Sequence, residues 1–332
     1  MYFWHTYTLL SEATFRALQT DAYLSQNFVD VETQTFTQSS AGTYTGVYLF
    51  MKQTLLESLV GGTVAGYPQG GYGIAFMDEV PGGIDELAAS WRAQFGGDQV
   101  TGPYDVTTPT ADGGMRRVWQ ELDPNWSNAS MYTGVWAMEY PSDSLDAGRR
   151  TRRELEAGHY SEARLARDIE AELFAVPAAE MTLLQRTFTS AGWAVSTEGD
   201  GFVAASLLDD GVHRRMHAVP QGAGPVGLLG VRMSLNRYER HTENIGEAVL
   251  EVGQGGQNVA YLWFGSPSLA QRAILEEVAL TPDAPDASAD AGQGAGQPNG
   301  HGCSAGGLVA PSSLGLLVAL RALARRRSPA RR

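Results

Sequence analysis

Three side chains stand out because each is a polar group on a strand whose same-face neighbours are apolar. His5 lies in YFWHTYTLL, where period-two alternation puts it on a face with Phe3 and Tyr7. Glu57 in QTLLESLV shares a face with Leu55 and Leu59, and Glu139 in VWAMEYP shares one with Val135 and Ala137. A carboxylate on an apolar face is costly unless it is paired or bound to a metal. One imidazole and two carboxylates make a donor set of intermediate hardness, suited to a divalent Fe, Mn, Zn or Ni ion. Such an ion keeps open positions for a bidentate oxygen substrate and polarises a chelated carbonyl or enolate oxygen. Glu121, on one alternation with Trp119 and Arg117, is a candidate to move a proton there. Tyr7, Tyr48, Trp119 and Trp136 are candidates to line an aromatic pocket. Taken singly, each site residue has a plain alternative: a strand-end glutamate is usually solvated, and a lone strand histidine is usually a core residue.

The other reactive residue types exclude more than they suggest. His213 and His217 in GVHRRMHAVP share a face, but Arg214 and Arg215 lie between them with no carboxylate or cysteine adjacent. His241 sits near Arg237 and Arg240, His159 lies in the charged helix expected within 142–177, and His301 has no rigid support. The single Cys303 excludes an intrachain disulfide and a cysteine-based zinc site. Lys52 is the only lysine, so Schiff-base chemistry has one candidate. G-x-x-x-x-G-K-[ST], G-x-S-x-G and H-E-x-x-H are all absent, which removes P-loop, nucleophile-elbow and zincin chemistry.

The elements that must position these groups follow from periodicity and punctuation. The 332 residues are 43% hydrophobic and 18% charged, enough to bury a sizeable core. Strand 2–10 leads to a helix at 12–25 capped by Ser11, then strands at 29–37, 43–51 and 53–60. The order repeats with strand 72–78, a helix at 83–95 carrying Ile84, Leu87 and Trp91 on one face, and strands at 99–106, 115–122 and 131–140. Two β-α-β-β-β units side by side suggest an internal duplication over 1–141. Residues 142–177 are highly charged and read as a helical connector, and Arg149, Arg150, Arg152 and Arg153 have acidic neighbours that offset them. Residues 178–280 read as a second, mostly antiparallel α+β module, so the fold class expected is α+β throughout.

On these strands the chain resembles the vicinal oxygen chelate superfamily of glyoxalases and extradiol dioxygenases. The resemblance implies two β-α-β-β-β modules whose curved sheets enclose a metal, with ligands from the first and last strand of each module. His5, Glu57 and Glu139 match three of those strands, while strand 72–78 offers only Gly73 or Ile74. The runs YTGVYLFMK, LLESL and WAMEY are also similar to an uncharacterised bacterial family known as a domain of unknown function.

Composition changes near Leu280. Residues 281–302 hold only small and polar types and read as a disordered linker. Cys303 within GHGCSAGG, the apolar run after it and Arg325–Arg327 resemble the myxobacterial C-terminal sorting signal, MYXO-CTERM. That resemblance implies export, processing by a sorting protease, and a membrane-directed tail at 303–332 displayed at the cell surface or outer membrane. Met1 leads straight into a strand with no signal peptide, so the export reading expects a start upstream. The net charge is −13, and because the last 52 residues hold six Arg and three Asp the remainder carries −16. So acidic a body repels phosphate and disfavours nucleic acid. Three roles remain: a surface-tethered metalloenzyme acting on a small oxygen-rich molecule, a non-catalytic small-ligand binder on the same scaffold, or a protein-interaction module.

Overall fold

The computed structural model describes residues 1–277 apart from 39–41, 64–66, 111–112, 131, 144–148, 208–212 and 223. The linker and tail expected at 281–302 and 303–332 lie outside the described residues. Among the described residues, no helix is long and apolar enough to cross a membrane.

The first sheet uses β1 (Tyr2–Leu10), β2 (Asp30–Gln38), β3 (Gly42–Phe50), β4 (Leu55–Val60), β5 (Tyr72–Asp78), β6 (Val100–Pro109), β7 (Met115–Pro124) and β8 (Thr133–Glu139). Helix α1 (Glu12–Thr20) follows β1, α2 (Gly83–Phe95) follows β5, and the single turn α3 (Asn125–Ala129) follows β7. Ser11 caps α1 by accepting the Thr14 N–H at 3.3 Å, and α2 buries Ile84, Leu87 and Trp91 as its spacing predicts. The short α4 (Arg152–Glu156) leads to a second sheet of β9 (Ala166–Val176), β10 (Ala194–Glu198), β11 (Gly201–Ala205), β12 (Arg215–Pro220), β13 (Gly227–Leu235), β14 (His241–Ile245), β15 (Ala248–Val252) and β16 (Val259–Trp263). Helix α5 (Ala178–Ser190) follows β9, and α6 (Leu269–Glu277) follows β16.

Strand order in the first sheet is β2-β3-β4-β1-β5-β8-β7-β6, and the second, β10-β11-β12-β9-β13-β16-β15-β14, repeats it position for position. The fold is α+β with two eight-stranded mixed sheets. The duplication expected in the first half therefore extends through the second. One direction differs: β5 pairs with β8 in parallel, whereas β13 pairs with β16 antiparallel. A helix after β5 carries the chain back before β6 starts; no described helix joins β13 to β14, so one traverse is lost and the next three strands run the other way.

The segment expected to be a helical connector holds only α4 and then becomes β9, so the second sheet begins at Ala166. In ARDIEAELFAV the charges sit at helix-like spacing, but the strand is buried along most of its length. Position inside a sheet overrode the local propensity of Glu, Ala and Leu.

The two sheets pack through one apolar layer that includes α1, α2 and α5. Phe3, Tyr72, Ile74 and Phe76 of the first sheet join Ile169, Phe174 and Val176 of the second in a single cluster. Tyr72 stacks on Phe174 at 4.9 Å, and Phe76 meets Phe188 edge-on at 5.4 Å. Polar groups cross the layer: Thr6 donates to Glu172 at 2.7 Å, Thr54 donates to Asp168, and Arg214, 3.3 Å from Asp168, also donates to the Phe3 carbonyl at 3.4 Å. Each sheet's opposite face forms its own smaller cluster. Truncating Phe76 to Ala removes a ring from the shared layer, with an expected cost of about 3–5 kcal/mol. Chemical denaturation followed by tryptophan fluorescence and by far-UV circular dichroism should give coincident, shifted transitions; two separated transitions would show that the sheets do not share a core.

Candidate functional site

The first sheet's outer face is a cup. At about 4.8 Å per strand, β3 and β7 would stand about 24 Å apart in a flat sheet. Instead Tyr44 on β3 belongs to the same cluster as Trp119 on β7. Burial, together with the nearby charges of Glu57 and Glu121, raises the Tyr44 hydroxyl pKa. The sheet is curled so that its two halves face each other.

Strand register lays two rows across this cup. One runs Glu32, Tyr48, Glu57, Tyr7, Gly73, Gly134, and the next runs Asp30, Phe50, Leu55, His5, Ala75, Trp136. The glycines make room for rings. A Cβ on Gly73 would stand 2.0 Å from the Tyr7 ring and 2.6 Å from Trp136, and one on Gly134 would stand 2.6 Å from the Tyr7 hydroxyl. Tyr7 and Trp136 stack at 5.5 Å, and Trp136 meets the His5 ring at 5.4 Å. Trp4 packs edge-on against the other side of His5 at 4.6 Å. A register shift between Phe3 and His5 turns Phe3 to the shared layer, so His5 keeps Tyr7 but not Phe3 as a face neighbour.

His5 and Glu57, each expected on a buried strand face, lie on the same face of the first sheet. No ion pair joins them. Tyr48 donates to Glu57 Oε1 at 2.6 Å. Glu57 Oε2, both His5 ring nitrogens, the Tyr7 hydroxyl and Trp136 Nε1 are buried with no hydrogen-bond partner among the protein's own groups. Each such atom costs about 1–3 kcal/mol when left unpaired. Burial pushes Glu57 up to about 8, against the opposing pull of the Tyr48 hydrogen bond, and drives His5 down to about 3. Both are uncharged at neutral pH. Glu121 is also buried, with Oε1 accepting from the Tyr104 hydroxyl and Oε2 from Trp119 Nε1 at 2.9 Å.

Glu139 does not join them. Its alternation with Val135 and Ala137 holds, but that face of β8 is the shared layer, while Trp136 and Met138 face the cup. Its carboxylate accepts the Gly82 N–H at 2.9 and 3.0 Å and the Ile84 N–H at 3.1 Å. It supplies α2 with the cap that Gly82, lacking a side chain, cannot. The cup-facing positions on β5 are Gly73, Ala75 and Met77, and on β8 Gly134, Trp136 and Met138. None offers an imidazole, carboxylate or thiolate. The ligand set expected for an ion between the two modules does not fit these residues.

Among the described residues, another cluster offers three ligand atoms within 4.8 Å of one another: Asp30, Glu32 and His159. Asp30 and Glu32 sit on edge strand β2 in the two cup rows, and His159 follows α4. Thr151 and Glu154 form a capping box that starts α4, Leu155 enters the cup cluster, and Glu156 accepts Trp4 Nε1 at 3.0 Å. His159 then stacks on Phe50 at 4.1 Å and 14°. Sequence reading missed it because its partners lie more than a hundred residues away; the alternation of Asp30 and Glu32 was the available signal. The second sheet's outer face is covered by α6 through Leu275, and His217 lies there with neither ring nitrogen partnered, pushed down to about 4 by burial and by Arg215.

The Glu57 carboxyl gives a signed pH dependence. Unfolded it titrates near 4.5, folded near about 8, so across that window the unfolded chain releases a proton that the folded chain keeps. This group lowers stability as pH rises from 4.5 to about 8 and contributes nothing below 4.5. Glu57→Gln should therefore gain stability relative to the wild type with rising pH over that window, measured by urea denaturation at several pH values. A difference independent of pH would refute the buried neutral carboxyl.

The chain belongs to a family of unknown function (DUF5829), whose family model matches residues 3–262. No curated protein matches it. One similar solved structure is a xylose isomerase-like TIM barrel/4-hydroxyphenylpyruvate dioxygenase fusion protein, at 10% identity and a TM-score of 0.34. That likeness covers 70% of this chain and 36% of the fusion protein, so the chain spans about a third of that relative's length.

Proposed function

We propose that this member of the DUF5829 family is a small-molecule receptor whose site is the cup of the first sheet, built from paired β-α-β-β-β modules of vicinal-oxygen-chelate type. The reading favours the non-catalytic binder over the metalloenzyme. The observation that carries it is the set of unpaired polar atoms on His5, Tyr7, Glu57 and Trp136, gathered on one buried face. A well-packed structural core satisfies such atoms or replaces them with apolar ones. A binding site keeps them for its ligand and gives up stability to do so.

Their protonation states define what fits. Neutral Glu57 donates one hydrogen bond, neutral His5 donates from one ring nitrogen and accepts at the other, and Tyr7 and Trp136 add an O–H and an N–H. Trp4, Trp136 and Tyr7 supply flat walls. An uncharged molecule with two or more oxygens close together, such as a vicinal diol, a catechol or a 1,2-diketone, matches this array; an anion would be desolvated without a cationic partner. Glu121, with both oxygens engaged by Tyr104 and Trp119, helps shape the wall rather than carrying a proton.

The test is a pair of opposed effects in one variant. His5→Leu removes two unpaired nitrogens at nearly constant volume and should stabilise by about 1 kcal/mol, raising Tm by about 2–4 °C. The same variant should lose the thermal shift that a panel of neutral diols, catechols and diketones gives the wild type. Destabilisation by His5→Leu, or an unchanged response to the panel, would contradict the receptor reading.

The C-terminal run supports membrane attachment as part of the same proposal: the apolar stretch Leu308–Leu320 extends to a span of Ala305–Ala324 if Arg321 snorkels to the surface, and Arg325–Arg327 follow. Membrane fractionation should retain the full chain in the pellet and release a chain ending at residue 302; a soluble full chain would contradict anchoring.

A further inference from the structure

We infer that Asp30, Glu32 and His159 form a binding site for one first-row divalent cation, of the Zn2+ or Mn2+ kind, at the β2 edge of the cup. His159 Nδ1 lies 2.9 Å from Glu32 Oε1 and 3.7 Å from Asp30 Oδ2. At bond lengths of about 2.0–2.2 Å, atoms sharing one such ion stand about 3.0–3.5 Å apart, so the observed spacings bracket those of a common ligand sphere. One nitrogen and two carboxylate oxygens suit such ions better than Ca2+, which takes six or more oxygens.

The cluster is held in place on every side. Asp30 and Glu32 project in the same direction because they are two residues apart on one strand, opposite Phe50 and Tyr48. Phe50 stacks on the His159 ring and fixes its plane. Gln34 donates to Glu32 Oε2 at 2.7 Å, leaving Oε1 toward the imidazole. The site is half-open: the His159 side chain is 10% exposed, Asp30 32% and Glu32 39%, enough for an ion to enter and keep water ligands.

A second, independent feature points to the same place. Glu156 is fully buried, and its Oε2 has no hydrogen-bond partner. Its main-chain carbonyl accepts the His159 N–H at 2.9 Å, and its carboxyl lies within the field of both His159 and Glu32. A buried carboxyl oxygen without a protein partner calls for a polar neighbour, and water on an ion held by the adjoining His159 and Glu32 would supply one. An ordinary histidine–carboxylate pair has no such neighbour: His241 and Glu243, 3.1 Å apart, lack a third ligand.

The inference is independent of the cup's ligand, and its experiment reads metal alone. Chelator-stripped full-length protein is titrated with Zn2+, and separately with Mn2+, by calorimetry, and bound metal is counted by elemental analysis after desalting. The wild type should take up one equivalent. Glu32→Gln and His159→Gln should each weaken binding at least tenfold, with far-UV circular dichroism unchanged because the substituted groups are partly exposed. His241→Gln, the control for a generic histidine–acid pair, should bind as the wild type does. No stoichiometric uptake of either ion, or equal uptake by wild type, Glu32→Gln and His159→Gln, would overturn the assignment.

Discussion

The apolar layer shared by the two sheets decides what every polar strand residue can do. Each sheet gives one face to that layer, so functional groups are confined to the outer faces or must be paired across the boundary. Glu172 and Asp168 accept from Thr6 and Thr54 in this way, and Arg214 reaches the Phe3 carbonyl. Glu139 also lies on the layer's side and is satisfied by the start of α2. The outer face of the first sheet, where curling brings β3 toward β7, gathers the buried and unpartnered polar atoms of His5, Tyr7, Glu57 and Trp136 on adjoining strands.

This division gives the two outer faces different prospects, although the strand orders repeat each other. The second is covered in part by α6, with Leu275 fully buried against it and Arg272 over the Trp263 ring at 4.7 Å. The first combines an uncharged carboxyl, an uncharged imidazole and aromatic walls, while charge is kept to its edge at Asp30, Glu32 and His159. Inside the cup, desolvation suppresses charge on Glu57 and His5.

What was legible in the sequence was periodicity. Alternation put His5 and Glu57 each on a buried face of its own strand, and element order exposed the repeated unit of the first half. It was silent on which face of β8 corresponds to which face of β1, because both are buried and apolar; Glu139 therefore matched its neighbours correctly and its proposed partners not at all. The shift between Phe3 and His5 was likewise invisible, since it is a property of pairing with β5. ARDIEAELFAV misled in the other direction, its charge spacing suggesting a helix where burial makes a strand. A donor set of one histidine and two carboxylates was anticipated, but at residues other than those the fold gathers, because His159 meets Asp30 and Glu32 only through the chain's return over the cup.

The central claim is that Glu57 is held uncharged, with one oxygen free, inside the first cup. Carbon-13 NMR of protein labelled at glutamate side-chain carboxyls, titrated and assigned against Glu57→Gln, measures that state directly. A Glu57 resonance that titrates at about 8 agrees with the structure. A Glu57 resonance already ionised near 4.5 would mean that the carboxyl is solvated or paired, and the cup would not be the site described.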